Sequence, residues 1–333
     1  MAVTLQSAVI PTSNPDSAAQ LSALLHGTGV APLEGTGWIR VTGSDRVRWL
    51  NGMVSNFTQQ LAPGEGCYNF VLNAQGRIQG DLTAFAEADA YLLETSREQI
   101  PALMAHLDRF IIMDDVELAD ISDTRHGLLI AGPDAPTHMK NNGAEVEPLH
   151  LARVRWRSVW LEVVHAYSPL TPRYEVWSDP ETINALSGTL TAIGATSVSP
   201  EALEQLRILE GTPRYGVDIR DKDLPQETAQ TRALHFAKGC YLGQEIVERI
   251  RSRGNVHRTF TGFTLTGTIP QAGAALQAEG KAVGELTSFA AIQLPGPVQL
   301  ALGYVRREAL DRGHPLEYPG GIATPIAPPY PIS

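Results

Sequence analysis

The chain has 333 residues, 43% of them hydrophobic and 19% charged. That is enough for a buried core and too much for one compact domain, so two or three domains are expected. Its net charge of −10 excludes a surface that attracts nucleic acid globally and leaves room only for a local basic patch. No run of about 18 apolar residues offers a membrane span. The two cysteines, Cys67 and Cys240, can build neither a disulfide framework nor a structural zinc site, so a reducing cytoplasm is the expected setting.

Residues Met1–Ser13 have no early Lys or Arg and no long apolar centre, so they do not read as a signal peptide. Met1–Gln20 reads as a loose arm leading into a first helix. Gly37–Val41 is a predicted strand. Ser44 then caps a helix whose apolar positions are Val47, Leu50, Met53 and Val54. A meander follows, in which Tyr68–Leu72 and Arg77–Phe85 flank the turn Asn73–Gly76, and Tyr91–Glu94 comes next. Ser96 and Gln99 suggest a capping box for a helix burying Leu103, Leu107 and Phe110, with Pro101 able to push its start later.

A similar mix recurs over residues 126–195. Leu128–Ala131, Ser158–Val164 and Arg173–Trp177 read as strands, and Asp179–Pro180 starts a helix. Ser199–Pro200 starts another, which Gly211 stops. After Arg258 the texture becomes all-β, with Thr259–Leu265, Lys281–Phe289 and Gln299–Tyr304 separated by Gly and Pro. The fold class is α+β with antiparallel sheets and a C-terminal β-barrel. The expected domains are residues 1–122 (joined by 200–255), 123–199 and 256–333.

The segment Lys238–Gly239–Cys240–Tyr241–Leu242–Gly243–Gln244–Glu245 carries the chemistry. It reads as a glycine-punctuated loop running into a helix that buries Leu242, Ile246, Val247 and Ile250. Cys240 then falls at or just before a helix N-terminus, where partial positive charge favours a thiolate. Lys238 stands two residues away, and Arg249, Arg251, Arg253 and Arg258 follow. The competing reading makes Cys240 a small buried hydrophobe and the arginines a solvated face. Cys67, in an alternating strand, reads as core packing. No His spacing suits a metal.

Lys-Gly-Cys-Tyr-Leu-Gly-Gln-Glu closely resembles the signature of the YgfZ family, folate-binding proteins of iron–sulfur cluster maintenance. Leu206–Pro213 and Leu224–Glu227 support the resemblance upstream. It implies kinship with the glycine-cleavage aminomethyltransferase and its three-domain ring around a folate pocket. It makes Cys240 the functional thiol and Lys238 its motif partner. It places Trp38 against the folate and Glu175 where related transferases carry an acid facing the pterin. Arg249 and Arg253 would favour the anionic glutamate tail.

Those transferases use an aspartate in an Asp-Asp pair, which falls here on Gly80–Asp81. The first acid is thus a glycine, which moves no proton, and Asp81 reads as a polar strand-edge residue. The resemblance therefore implies a tetrahydrofolate-binding accessory protein that serves iron–sulfur client or assembly proteins; no resident metal is expected, and a monomer is the default expectation. Two rivals stand beside it. One is a folate-dependent one-carbon transferase; the other is a tRNA-binding protein using Arg249–Arg258.

Overall fold

The computed structural model describes residues 15–254, 256–294 and 296–332, without the side chains of Pro15 and Arg253. Most of the expected N-terminal arm therefore lies outside the described residues, and Pro15–Gln20 are already helical. In chain order the helices and strands are α1 (Pro15–His26), β1 (Gly29–Pro32), β2 (Thr36–Thr42), α2 (Arg46–Met53), β3 (Gly66–Leu72), β4 (Ile78–Ala86), β5 (Tyr91–Ser96), α3 (Ile100–Asp108), β6 (Glu117–Asp120), β7 (His126–Ala131), α4 (Ala135–Asn141), β8 (Leu151–Trp156), β9 (Val159–Ala166), β10 (Arg173–Ser178), α5 (Pro180–Ala192), β11 (Thr196–Ser197), α6 (Pro200–Glu210) and α7 (Gln244–Arg253). Then come β12 (Arg258–Gly267), β13 (Ala274–Ala278), β14 (Lys281–Leu294), β15 (Gly296–Arg306), α8 (Arg307–Arg312), β16 (Leu316–Tyr318) and β17 (Gly321–Ile326).

The chain divides into two compact units. The larger, residues 23–197 and 219–255, holds two sheets. The first has strand order β3-β4-β5-β2-β6 and the second β11-β1-β7-β10-β9-β8. All pairings in them are antiparallel except β1 with β11. Strand β1 thus belongs to the second sheet although it precedes every strand of the first, a long-range pairing that local pattern does not report.

Alternation along β4 assigns its two faces. Ile78, Gly80, Leu82 and Ala84 are buried on one side, while Gln79, Asp81 and Thr83 on the other are only partly so. The first face packs with α2 and α3 through Ile39, Leu50, Leu93, Leu103 and Leu107. The second sheet buries Val30, Ile130, Val163, Val176, Ile183 and Leu186 against α4 and α5. Trp38, Phe85 and Leu92 of the first sheet meet Leu151, Val164 and Trp177 of the second in a further cluster.

The smaller unit, up to residue 22 with 198–218 and 256–333, contains the closed barrel β12-β15-β14-β13-β16-β17. Its interior is filled by side chains including Phe263, Leu276, Leu286, Val305 and Leu316. Helix α6 begins as expected, with Ser199 Oγ accepting from the Ala202 N–H, and ends at Gly211 with φ of 68°. Its Arg207 pairs with Glu204 at 2.6 Å and with fully buried Asp218 at 2.7 Å.

Two local expectations are corrected. Ser44 does not cap α2: Asp45 is the N-cap residue, and the Ser44 hydroxyl and backbone N–H donate to Asp115, at 2.7 and 2.8 Å. Ser96 and Gln99 form no capping box; α3 starts at Ile100, and Gln99 reaches across to Asp81 instead. Phe110 falls just past the helix end, beside His106.

Candidate functional site

The stretch from Ala233 to Glu245 is stitched to residues 51–56. Leu242 N–H donates to Gly52 O at 2.9 Å, His235 N–H to Ser55 O at 3.2 Å, and Ser55 Oγ to Ala233 O at 2.6 Å. Lys238 is buried there, its ammonium donating to the carbonyls of Asn51, Val54 and Asn56 at 2.6, 2.7 and 2.5 Å. Burial lowers it to about 8, against a small opposing influence of Cys67. The expectation of a lysine working beside the Cys240 thiol is therefore corrected, since this ammonium satisfies carbonyls left open where α2 ends.

The other motif positions separate by task. Tyr241 is buried, with its ring 4.8 Å from the Lys238 ammonium. The Gln244 side chain accepts from the Tyr241 N–H at 3.2 Å. Gly243 has φ of 82°, and a Cβ there would sit 2.6 Å from Asn73 O, so only glycine fits. Gly239 meets no such demand, and nothing in the structure explains it. Cys240 and Glu245 are exposed and hold nothing in place. Cys240 also lies farther from the helix than expected, because Gly243 is the N-cap and α7 starts at Gln244.

Two of the arginines have acidic partners. Arg251 is paired with Glu248 at 3.4 Å, and Arg258 lies on the first barrel strand with Glu285 at 3.7 Å. The Arg253 side chain is outside the described residues. Arg249 is exposed and lines an open cleft of about 600 Å³ with Asn73, Arg77, Leu224 and Ile246. None of the acids described next lines that cleft.

The chemically richer arrangement lies on the first sheet's other face. Register places Tyr68, Thr83, Glu94 and Trp38 in one row across β3, β4, β5 and β2, with their side chains on a shared face. Tyr68 Oη donates to Asp81 at 2.6 Å, and Gln99 Nε2 donates to the same carboxyl at 2.8 Å. Burial raises the Asp81 carboxyl above its ordinary value, with those two bonds acting the other way. Arg232 lies between the rings of Tyr68 and Tyr167, 4.0 and 3.9 Å from their centroids.

Glu175, on the facing sheet, is buried, and its Oε1 accepts from Arg173 Nη2 and Nε at 2.7 and 3.1 Å. Its Oε2 has no N–H donor, and Glu175 interacts with the Glu94 carboxyl. Burial first, then the Glu175 charge, holds Glu94 well above the usual carboxylate range. Burial also opposes ionisation of Glu175, but the Arg173 charge and hydrogen bonds from Glu94 and Arg173 together hold it below its ordinary value. The Trp38 and Trp177 indole N–H groups are likewise buried without a partner.

Trp38 is fully enclosed, with Phe85 at 6.2 Å, the Trp177 ring edge-on at 5.3 Å and the Arg125 guanidinium 4.3 Å over its face. Trp38, expected to stack on the folate, is enclosed by both sheets here. Position 80 is corrected. A Cβ on Gly80 would lie 2.6 Å from Leu103 Cδ2, toward α3, so the acid on the site face is Asp81 itself. Asp81 is no strand-edge residue.

The structure thus brings Asp81, Glu94 and Glu175 into one unit with Arg173, Arg232 and two tyrosines. Sequence reasoning overlooked Glu94, Arg173 and Arg232. Glu94 carried a faint signal, a carboxylate alternating with Leu93 in an otherwise apolar strand; Arg232 carried none.

The chain resembles the "Putative transferase At1g60990, chloroplastic" of Arabidopsis thaliana, at 26% identity over 90% of this chain and 70% of that protein. It is 26% identical to the "tRNA-modifying protein YgfZ" of Escherichia coli O157:H7 over 71% of this chain and 72% of the other. It is 25% identical to the "Iron-sulfur cluster assembly factor IBA57 homolog, mitochondrial" of Aspergillus oryzae, over 69% of this chain and 55% of that protein. The aminomethyltransferase T of the Bartonella henselae glycine cleavage system superposes with a TM-score of 0.83 at 21% identity, over 96% of this chain and 91% of that one. The fold is therefore aminomethyltransferase-like. With the GCVT N-terminal domain matched over residues 11–238, the chain belongs to that family.

Proposed function

We propose that this chain is a tetrahydrofolate-binding accessory protein that supports assembly or repair of iron–sulfur clusters in client enzymes, tRNA-modifying ones among them. Cys240 is the thiol that meets a cluster, a sulfur species or a client. The observation that carries this reading is the division of tasks within the motif. Lys238, Tyr241, Gly243 and Gln244 hold the loop in place, whereas Cys240 is exposed and makes no hydrogen bond among the described residues. The names of the YgfZ and IBA57 relatives point the same way. One thiol does not hold a cluster, which commonly takes four cysteines, so a client or assembly protein supplies the remaining ligands.

The residues fit a folate. Among the described residues the indole N–H groups of Trp38 and Trp177 are buried with no partner and Glu175 Oε2 has no N–H donor, a costly arrangement that a bound polar ring relieves. Glu175, Glu94 and Asp81 would hold the pterin. When bound, the folate supplies a one-carbon carrier.

The test is complementation in a strain lacking the protein, with iron–sulfur enzyme activity as the readout. Wild type is expected to restore it and Cys240→Ala to fail; equal rescue removes the thiol reading. A second reading, a folate-dependent one-carbon transferase, is favoured by Asp81, a half-buried acid on the site face. Folate-dependent formaldehyde release that survives Cys240→Ala and disappears in Asp81→Asn would put that reading first.

A further inference from the structure

The sequence predicts that Leu242, Ile246, Val247 and Ile250 are buried, but of these only Val247 is. Ile246 and Ile250 stay half-exposed and, with Arg249 between them, share one face of α7. That face lines the open cleft of about 600 Å³, joined there by Leu224 and Arg77 from two other segments. The lining is held together by its own contacts. The Asn73 side chain accepts from the Gln75 and Arg77 N–H groups at 3.0 Å each, which fixes the turn between β3 and β4. A Cβ on Gly76 would lie 2.8 Å from Ile246 Cβ, so that turn sits directly on α7. Gln226 Nε2 ties the Leu224–Glu227 stretch to the same helix by donating to Val247 O at 2.8 Å.

The chain carries a net charge of −10, yet no acid lines this cleft. The Arg77 guanidinium donates to the Lys222 carbonyl. Neither it nor Arg249 has a carboxylate partner among the described residues. A guanidinium takes a carboxylate through paired hydrogen bonds, and half-exposed aliphatic side chains gain from being covered. An acidic amphipathic segment satisfies both demands. A folate tail brings carboxylates, and a nucleic acid phosphates, without the aliphatic surface. The cleft also adjoins the loop that carries the thiol, because its Asn73 carbonyl packs on Gly243, where a Cβ would lie 2.6 Å away.

We infer that this cleft docks an acidic amphipathic segment of the client or assembly protein. Arg77 and Arg249 hold its carboxylates, and Leu224, Ile246 and Ile250 cover its aliphatic side chains. This inference rests on the accessory reading above and adds how the partner is held beside the Cys240 loop.

The test pans a phage-displayed library of random peptides on the full chain and on the double variant Arg77→Glu/Arg249→Glu. Wild type is expected to select peptides that combine Asp or Glu with Leu or Ile. The double variant should drop them and select Lys or Arg in place of the acids, a reversal that a misfolded protein does not produce. A synthetic peptide of the selected sequence should bind the double variant at least about tenfold more weakly by fluorescence anisotropy, and its binding to wild type should weaken with salt. In the strain lacking the protein, the double variant should fail to restore iron–sulfur enzyme activity.

Selection of no acidic peptide by wild type, or equal binding by the double variant, overturns the inference. So does binding of polyuridylic acid, or self-association of the chain, that the double variant loses, since the occupant is then RNA or a second copy. Loss of tetrahydrofolate affinity with peptide binding retained gives the cleft to the folate tail and overturns it too. Full rescue by the double variant while Cys240→Ala fails sinks this inference alone. Failure of wild type to rescue sinks the accessory reading, and the partner inferred here with it.

Discussion

Lys238 Nζ donates to the Val54 carbonyl at 2.7 Å, one of three carbonyl contacts that place this lysine inside the protein. Its replacement by Met leaves those oxygens without a donor, and a loss of about 2–4 kcal/mol in denaturant unfolding is expected. The gap also depends on pH. The folded-state value near 8 lies below the ordinary 10.5. The lysine's relative contribution is thus fully present above about pH 10.5 and lost as pH falls through 8. The wild-type advantage over Lys238→Met should grow by about 2–3 kcal/mol between pH 7.5 and 10.5; a level gap would contradict the burial argument.

The two motif glycines should differ. Gly243→Ala forces a side chain into a left-handed backbone and against Asn73 O at 2.6 Å. A cost of about 1–3 kcal/mol in thermal unfolding follows. Gly239→Ala meets open space and should stay within about 0.5 kcal/mol of wild type. Equal costs would mean that the loop is held in some other way.

Cysteine labelling separates the two thiols. Cys240 is exposed. Cys67 is half-buried, with burial pushing its thiol up to about 11 against a hydrogen bond from Asn69. Because the thiolate is the nucleophile, iodoacetamide at pH 8 should add one label to the native chain, on Cys240, by mass spectrometry. A second label of comparable rate on Cys67 would show that β3 opens readily. Cys240→Ala should leave the melting temperature unchanged.

Trp38→Ala empties a fully buried site between two sheets. Large-to-small changes of this kind cost about 3–5 kcal/mol, so the variant should unfold early in denaturant. Reduced folate binding in that variant would report the fold. Ligand assays are better built on Glu175→Gln, which keeps the shape and removes the charge.

The barrel unit should depend on Arg207. Asp218 is buried against it and also accepts hydrogen bonds from Thr287 and Ser288. Asp218→Ala leaves a largely buried guanidinium short of an acid and should cost about 3–5 kcal/mol. A change under 1 kcal/mol would show that Glu204 alone suffices.

The sequence by itself determined the local elements. Period-two runs, the cap-and-proline starts at Asp179 and Ser199 and the stop at Gly211 are effects between residues a few positions apart, and the structure reproduces them. It also singled out Cys240, because an eight-residue motif is contiguous. Register and burial lie beyond that range. The membership of β1 in the second sheet, the direction of Gly80 toward Leu103, the enclosure of Trp38 and the meeting of Glu94 with Glu175 each depend on residues far apart in the chain. Lys238 shows the reason most plainly. Beside Cys240 in sequence it reads as an activating cation, but its charge is fixed by three carbonyls some 180 residues earlier. Only folding decides which neighbour an ammonium serves.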